Sequence, residues 1–420
     1  MKKKVTRRIL ITTISMILLI SLTFSSGISA AASEAVKYQK ATYQQYIYNK
    51  TETFGSLNMS VSNPGLYNTV YNGLLSKYAS IDVSAYTLNV DDAVNAYFQC
   101  LDDHPEIFYA DVSVYVVYTS TYVKLNISYL FSGQTLENEI NNFNSKVNSI
   151  LASVITPGMT PIQKELEIHD YILKNSTYDH NDLNYPGGYN PLSHSTYGII
   201  VNGLGVCQSY SRAMKLLLNK AGIECGIVLS DSMNHAWNYV NISGKYYNLD
   251  STWDDNVADS LGVPVYYWYF NQNNSAMSRD HQWIQSDYPA STDSAYSHLT
   301  DSSVYAVKWQ RSNTDLFYID SLYHYIYKLS FITGQTQSIL PYSSKDLQTG
   351  DNKIFFVGSQ NNYLYMANLD GTNVAVIDSN AGTISKVEGG FLYFKETATG
   401  KEIYISLSGN ITSLDMTDTE

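Results

Sequence analysis

One stretch, residues 203–255, constrains this chain more than any other: GLGVCQSYSRAMKLLLNKAGIECGIVLSDSMNHAWNYVNISGKYYNLDSTWDD. From Cys207 to Lys220 the apolar residues Tyr210, Met214, Leu217 and Leu218 recur at helical spacing. Ala221-Gly222 then supplies a C-terminal stop. Gly203 and Gly205 permit a tight turn just ahead, so Cys207 falls in the first helical turn. Unpaired N–H groups and the positive end of the macrodipole favour a thiolate there. Residues 236–242 and 246–250 flank Ser243-Gly244 and read as a hairpin. With a two-residue turn His235 lies opposite position 252, and Asp250 shares its face one diagonal step away. Asp254 and Asp255 lie past the hairpin, so Asp250 is the carboxylate best placed to orient the imidazole. A cysteine, a histidine and an orienting acid are what nucleophilic acyl transfer requires.

The blocks GLGVCQSYSRAMKLLL, NHAW and YYNLDSTWDD, in that order, resemble the core of the transglutaminase-like superfamily, in its secreted bacterial branch. The resemblance extends over about residues 160–283 and takes in HDYILKNSTYD, STYGIIVNG and DHQW. It implies an α+β, papain-like core with Cys207, His235 and Asp250 as its catalytic residues. Upstream of the cysteine, Tyr197 is expected to point a hydroxyl toward the oxyanion, with the Cys207 N–H as the other donor. Gln208 is a second side-chain candidate for that role. Trp237, beside His235, is expected to form a cleft wall that keeps water from the pair. His169 reads as a structural hydrogen-bonding residue, and the Pro/Gly/Asn-rich residues 182–194 as a flap.

Residues 1–32 carry Lys2, Lys3, Lys4, Arg7 and Arg8, then an apolar run, then Ala30-Ala31-Ala32. This is the pattern of an export signal, and the run is short of the ~20 residues that span a bilayer. The mature chain is therefore expected to be extracellular, free or held at the cell surface, with no transmembrane segment. The formal net charge is −12 for the whole chain, and loss of the basic leader makes it more acidic still. Nucleic acid and anionic membranes are excluded as partners on that ground. The chain has 3 cysteines, an odd number for an exported protein, which points to a free thiol. Cys100 and Cys225 read as buried packing thiols or as one disulfide, and either leaves Cys207 free. No C-x-x-C or H-E-x-x-H spacing is present, and Asp254, Asp255 and Asp259 read as a solvated loop rather than a calcium site. No metal or cofactor is expected.

The remaining chain divides into flanking units. Residues 33–155 read as an N-terminal α+β domain, with helices at 64–78, 90–101 and 136–154 and paired strands at 113–119 and 122–131. It carries no chemistry and is expected to build one wall of the cleft. Residues 156–290 are the core, entered through the capped helix start Thr160-Pro161, and 291–297 form a Ser/Asp-rich linker. Residues 298–420 read as an all-β repeat domain. The segments 316–330, 354–369 and 391–407 share one template: aromatic strand, polar turn, aromatic strand. Their period is close to the ~40–45 residues of a four-stranded propeller blade. Three units fall short of the ~4 blades a closed propeller needs, so an open, propeller-like stack or a borrowed strand is expected. These segments resemble the propeller-like repeats that end other secreted proteins, which implies binding or presentation.

Together these readings describe an extracellular thiol enzyme acting on amide bonds of proteins, peptides or cell-wall peptides, by hydrolysis or by transfer to an amine. The alternative is a non-catalytic surface binding protein that keeps a vestigial triad.

Overall fold

The structure is a computed structural model and describes residues 35–47, 63–185, 189–255, 266–300, 306–407 and 413–415. The export signal expected at 1–32, and Asp259, lie outside the described residues. Among those described, no helix is long and apolar enough to cross a membrane.

The first unit contains β1 (Lys37–Thr42), α1 (Pro64–Leu75), β2 (Ser80–Asp82), α2 (Val90–Asp103), β3 (Ala110–Tyr118), β4 (Val123–Tyr129) and α3 (Gly133–Val154). Its sheet has the order β1-β3-β4-β2. Along β3 the pleat sends Val114 and Val116 into the core and leaves Tyr115 exposed. Asn63 caps α1 by accepting from the Leu66 N–H at 3.1 Å, and Asn89 caps α2 by accepting from Asp91 at 2.8 Å. Helix α1 ends at Leu75, short of the expected Tyr78. The Ser76 N–H closes the last turn on the Asn72 carbonyl, and Lys77 turns the chain away at φ +56°.

The central unit begins with α4 (Pro161–Asn175), whose Thr160 and Gln163 form a reciprocal capping box. It continues through β5 (Thr177–Tyr178), α5 (Pro191–His194), β6 (Leu204–Gly205), α6 (Cys207–Lys220), β7 (Cys225–Ser230), β8 (His235–Ile242) and β9 (Lys245–Leu249). Helix α6 packs against α4 and against the antiparallel sheet β7-β8-β9. The hairpin turn has two residues, Ser243 at φ +54° and Gly244 at φ +86°, and Ile242 pairs with Lys245. Two positive φ values match the twist of the strands they join, so the register is the one the sequence implies. Residues 182–194 are not wholly a loop: Asp182–Asn184 form a 3-10 turn and Pro191–His194 form α5. Nor are residues 291–297 a free spacer. Ser291 and Tyr296 are buried, and Asp293 accepts from the Tyr247 hydroxyl at 2.8 Å and pairs with Lys245.

The last unit comprises three successive four-stranded antiparallel sheets, none closed into a barrel. The first holds β10 (Ala306–Ser312), β11 (Asp315–Asp320), β12 (Ile326–Ser330) and β13 (Thr336–Leu340). The second holds β14 (Ser344–Gly350), β15 (Lys353–Gly358), β16 (Leu364–Asn368) and β17 (Ala375–Asp378). The third holds β18 (Ala381–Glu388), β19 (Phe391–Glu396), β20 (Glu402–Ser406) and β21 (Ser413–Asp415). Each sequence repeat contains the central hairpin of one sheet. Cross-strand aromatic pairs recur within them: Tyr318 on Tyr327, Phe356 on Tyr365 and Tyr393 on Tyr404. Phe317 and Ile319 pack on Ile354 and Phe356 of the next sheet, and Phe355 and Val357 pack on Leu392 and Phe394 of the one after. The opposite face of the first sheet, with Leu316, Tyr318 and Leu329, joins the core that holds Tyr267 and Phe270. Arg311 fixes this junction, donating to Glu167 at 3.0 Å and to Asp170 at 2.8 Å on α4.

Candidate active site

The turn ahead of α6 explains where its cysteine sits. Strand β6 runs parallel to β5, with Leu204 opposite Thr177 and Gly205 opposite Tyr178. Gly203 adopts φ +65°, and a Cβ there would lie 2.6 Å from the Asn175 carbonyl oxygen. At Gly205 a Cβ would meet the Ser209 side chain at 2.7 Å. Only glycine fits this descent into the helix. Val206 is the N-cap residue and brings no side-chain cap. The Ser209 and Tyr210 N–H groups bond back to the Val206 carbonyl at 2.8 and 3.1 Å. The N–H groups of Cys207 and Gln208, at the first two helical positions, thus lack an intrahelical acceptor, and Cys207 itself is half-buried.

His235 opens β8, and its Nε2 lies 2.6 Å from Asp250 Oδ2. The Cys207 thiol also acts on this ring. Burial alone would lower the pKa of this imidazole. The charge and hydrogen bond of Asp250, helped by Cys207, reverse that and push it up to about 10. The structure therefore brings together the cysteine, histidine and aspartate singled out in the sequence, in that chain order. Asp250 is fully buried and saturated: Oδ1 accepts from the Thr252 and Trp253 N–H groups at 3.0 and 3.1 Å, and Oδ2 from two imidazoles. Burial favours its neutral form, but His235 and then His281 hold the carboxyl well below the usual carboxylate range.

That second imidazole, His281, was not singled out from the sequence. Its Nε2 lies 3.0 Å from Asp250 Oδ2 and its Nδ1 2.7 Å from Asp280 Oδ1, whose Oδ2 accepts from the Tyr269 hydroxyl at 2.9 Å. Its only signal was membership of the DHQW block. Trp253 packs on it with ring centroids 4.2 Å apart and on His235 at 5.7 Å. His235, Asp250 and His281 present ligand-type atoms within 4.8 Å of one another. The separations of 2.6 and 3.0 Å from a shared oxygen are those of N–H···O bonds.

Tyr178 also belongs here. Its hydroxyl is pushed well above the usual tyrosine value, first by burial and then by the neighbouring charges of Cys207, Asp182 and Asp250. The β5–β6 pairing, a non-local contact, is what brings it beside the sulfur.

Three expectations are corrected. The Tyr197 hydroxyl donates to Glu139 on α3 at 2.6 Å, and its ring packs among Phe108, Phe131 and Phe143. It serves the junction with the first unit rather than an oxyanion. Gln208 is buried with its amide between two partners. In the orientation that satisfies both, Nε2 donates to His194 Nδ1 at 3.0 Å and Oε1 accepts from Arg212 Nη2 at 3.1 Å. Its backbone N–H, not its side chain, faces the helix start. Trp237 is 1% exposed, too deep to line a cleft. It lies behind His235 at 5.8 Å, with its Nε1–H given to Asn248 Oδ1 at 3.1 Å.

Cys100 and Cys225 are buried and all three cysteines are free. Burial pushes both of those thiols well above the usual range, which makes them inert. His169 is structural in setting, with Nε2 3.1 Å from Asp254 Oδ2. Asp254 and Asp255 are not in a solvated loop: both are buried, the first paired with His169 and the second bonded to the Tyr210 hydroxyl.

Comparison with known proteins adds a family for the region that carries this geometry. No curated protein matches the chain. A solved structure titled "Crystal structure of Nidogen/Laminin Complex" is similar at 20% identity over 24% of this chain and 43% of that one, with a TM-score of 0.21. The chain thus spans less than half of that structure's length, and a likeness so slight bears on nothing further. The profile of the transglutaminase-like superfamily matches residues 148–251, which include Cys207, His235 and Asp250. The chain therefore contains a transglutaminase-like superfamily domain at residues 148–251.

Proposed function

We propose that this protein is an exported thiol enzyme that acts on amide bonds of extracellular proteins or peptides through Cys207, His235 and Asp250. The observation that carries the reading is the 2.6 Å bond from His235 to the buried Asp250, with Cys207 at the start of α6 acting on the same ring. Cys207 attacks the amide carbonyl as its proton passes to His235. The oxygen of the tetrahedral intermediate is met by the N–H groups of Cys207 and Gln208 at the uncapped start of α6. The His235 imidazolium gives its proton to the departing amine and leaves a thioacyl-enzyme. The neutral imidazole then takes a proton from water, giving hydrolysis, or from an amine, giving transfer. Asp250 holds the ring and supports its charge.

The three C-terminal sheets fit this reading as a propeller-like repeat unit that binds or presents substrate, and export rests on the leader pattern at residues 1–32. The test compares wild type with Cys207→Ala on extracellular protein and purified cell wall. Mass spectrometry should find new termini, released ammonia or isopeptide links with wild type only. Identical products, or none, from both proteins would favour the non-catalytic binding protein instead.

A further inference from the structure

His281 is more deeply placed than anything its sequence context suggests. It is 1% exposed, follows the half-exposed Asp280, and is walled by Trp237 and Trp253 with ring centroids at 5.0 and 4.2 Å. A buried imidazole with a packing role needs one hydrogen-bond partner for its N–H. This one meets two carboxylates, Asp250 at Nε2 and Asp280 at Nδ1. Carboxylates only accept, so both ring nitrogens donate, which is the bonding of the protonated ring. The Asp250 oxygen it holds is the one that holds His235, and the two imidazoles lie 5.8 Å apart.

Resting on the thiol-enzyme reading above, we propose that His281 is a positioning residue for that reaction. It fixes Asp250 Oδ2 toward His235 and, as a second cation on the same oxygen, limits how firmly Asp250 holds the His235 proton. An aspartate serving His235 alone would stabilise the imidazolium more and release its proton to the leaving amine less readily. Sharing the oxygen loosens that grip. Asp280, anchored by the Tyr269 hydroxyl, keeps the His281 charge in place from the far side. The titratable groups around His281 are Asp250 and Asp280 by direct bond, His235 at ring distance and Tyr269 through Asp280. Asp254 acts on Asp250 through its charge, and Cys207 through His235.

The experiment is the pH profile of Cys207 alkylation by iodoacetamide in the full chain, for wild type and His281→Gln. Glutamine keeps an N–H for Asp250 and removes the charge. Wild type should show a reactive plateau that ends where His235 loses its proton. In His281→Gln that inflection should move upward by about half to one pH unit, since a like charge facing the imidazolium is gone. A folded variant with an unmoved inflection overturns the proposal, because lost packing would change stability and leave the titration alone. An ordinary thiol titration already in wild type overturns the thiol-enzyme reading, and this proposal with it. Should the variant not fold, nitrogen-15 spectra of histidine-labelled wild type decide the matter. A ring that donates from both nitrogens supports the proposal, and a bare nitrogen refutes it.

Discussion

Glu165→Gln is expected to stabilise this protein at neutral pH and to flatten its response to pH. Glu165 is fully buried on α4, with Oε2 accepting from the Asn271 side-chain amide at 2.8 Å. Glu165 Oε1 and Asn271 Oδ1 are both buried acceptors without a donor. A proton on Glu165 supplies the donor this pair lacks, and burial pushes the carboxyl from 4.5 up to about 8, against the smaller opposing effects of Asn271 and His169. The folded pKa is raised, so the stabilising contribution is complete below the unfolded value and is lost as pH rises through about 8. In between, the unfolded chain ionises while the folded one keeps its proton. Each pH unit then costs about 1.4 kcal/mol, or about 3 kcal/mol at pH 7. Glutamine carries a permanent N–H where the acid needs a proton, so the variant escapes this penalty. The assay is urea unfolding of both proteins at pH 5, 6, 7 and 8. The stability difference between them should grow with pH and approach a few kcal/mol at neutrality. A glutamine variant less stable than wild type at pH 7, or a difference that does not change with pH, refutes the reasoning.

Other outcomes follow from the same geometry. Asp102→Ala removes the partner of a buried guanidinium and should lower the unfolding free energy by about 3–5 kcal/mol. A loss under about 1 kcal/mol in denaturant titration would show that Arg212 finds another partner. Asp250→Asn should cut turnover by about 10³–10⁴-fold and drop the His235 inflection well below its wild-type position, since the charge and hydrogen bond of Asp250 are what hold it up. An inflection that stays put would remove Asp250 from the mechanism. Tyr197→Phe should leave turnover unchanged and cost about 1 kcal/mol, because its hydroxyl gives a single hydrogen bond to the half-buried Glu139 carboxylate. A large loss of turnover with intact stability would restore its oxyanion role.

What the sequence made legible was what local rules control. Cys207 at a helix start follows from the glycines and the helical stripe, and the placing of Asp250 beside His235 follows from a two-residue turn and period-two alternation. The three repeats announce their hairpins because each aromatic strand pair is contiguous in the chain. Tyr197 and Gln208 were misjudged for one shared reason: closeness along the chain to Cys207 does not say which way a side chain leaves the backbone. Tyr197 is drawn toward α3 by three phenylalanines, and Gln208 toward Arg212 by a buried charge. His281 and Tyr178 escaped notice because their relation to the site is made by long-range pairing. Composition could not separate a solvated acidic loop from the buried Asp254 and Asp255, since burial of an acid is visible only through its partners.

Those partners also bear on what the flanking unit is for. On α6 the residues Gln208, Arg212 and Lys215 share one face by helical spacing, and all are buried. Arg212 donates to Asp102 Oδ1 through Nε at 3.1 Å and Nη2 at 2.8 Å, and lies over the Tyr43 ring at 4.9 Å. Tyr43 in turn donates to Asp102 at 2.8 Å, and Lys215 Nζ donates to the Asp102 carbonyl at 2.7 Å. Asp102 and Tyr43 both belong to the N-terminal unit. A buried ion pair is a poor source of net stability, because desolvation offsets most of the attraction. What it does well is penalise misalignment, since a guanidinium that loses its carboxylate is left charged in an apolar interior. Cys207 sits on the same helix, just N-terminal to this clamp, so the N-terminal unit bears on the orientation of the helix that carries it. Removing that unit would strip Arg212 of Asp102 and Tyr43 together. The cysteine's helix, rather than the cleft's edge, is where the damage should appear.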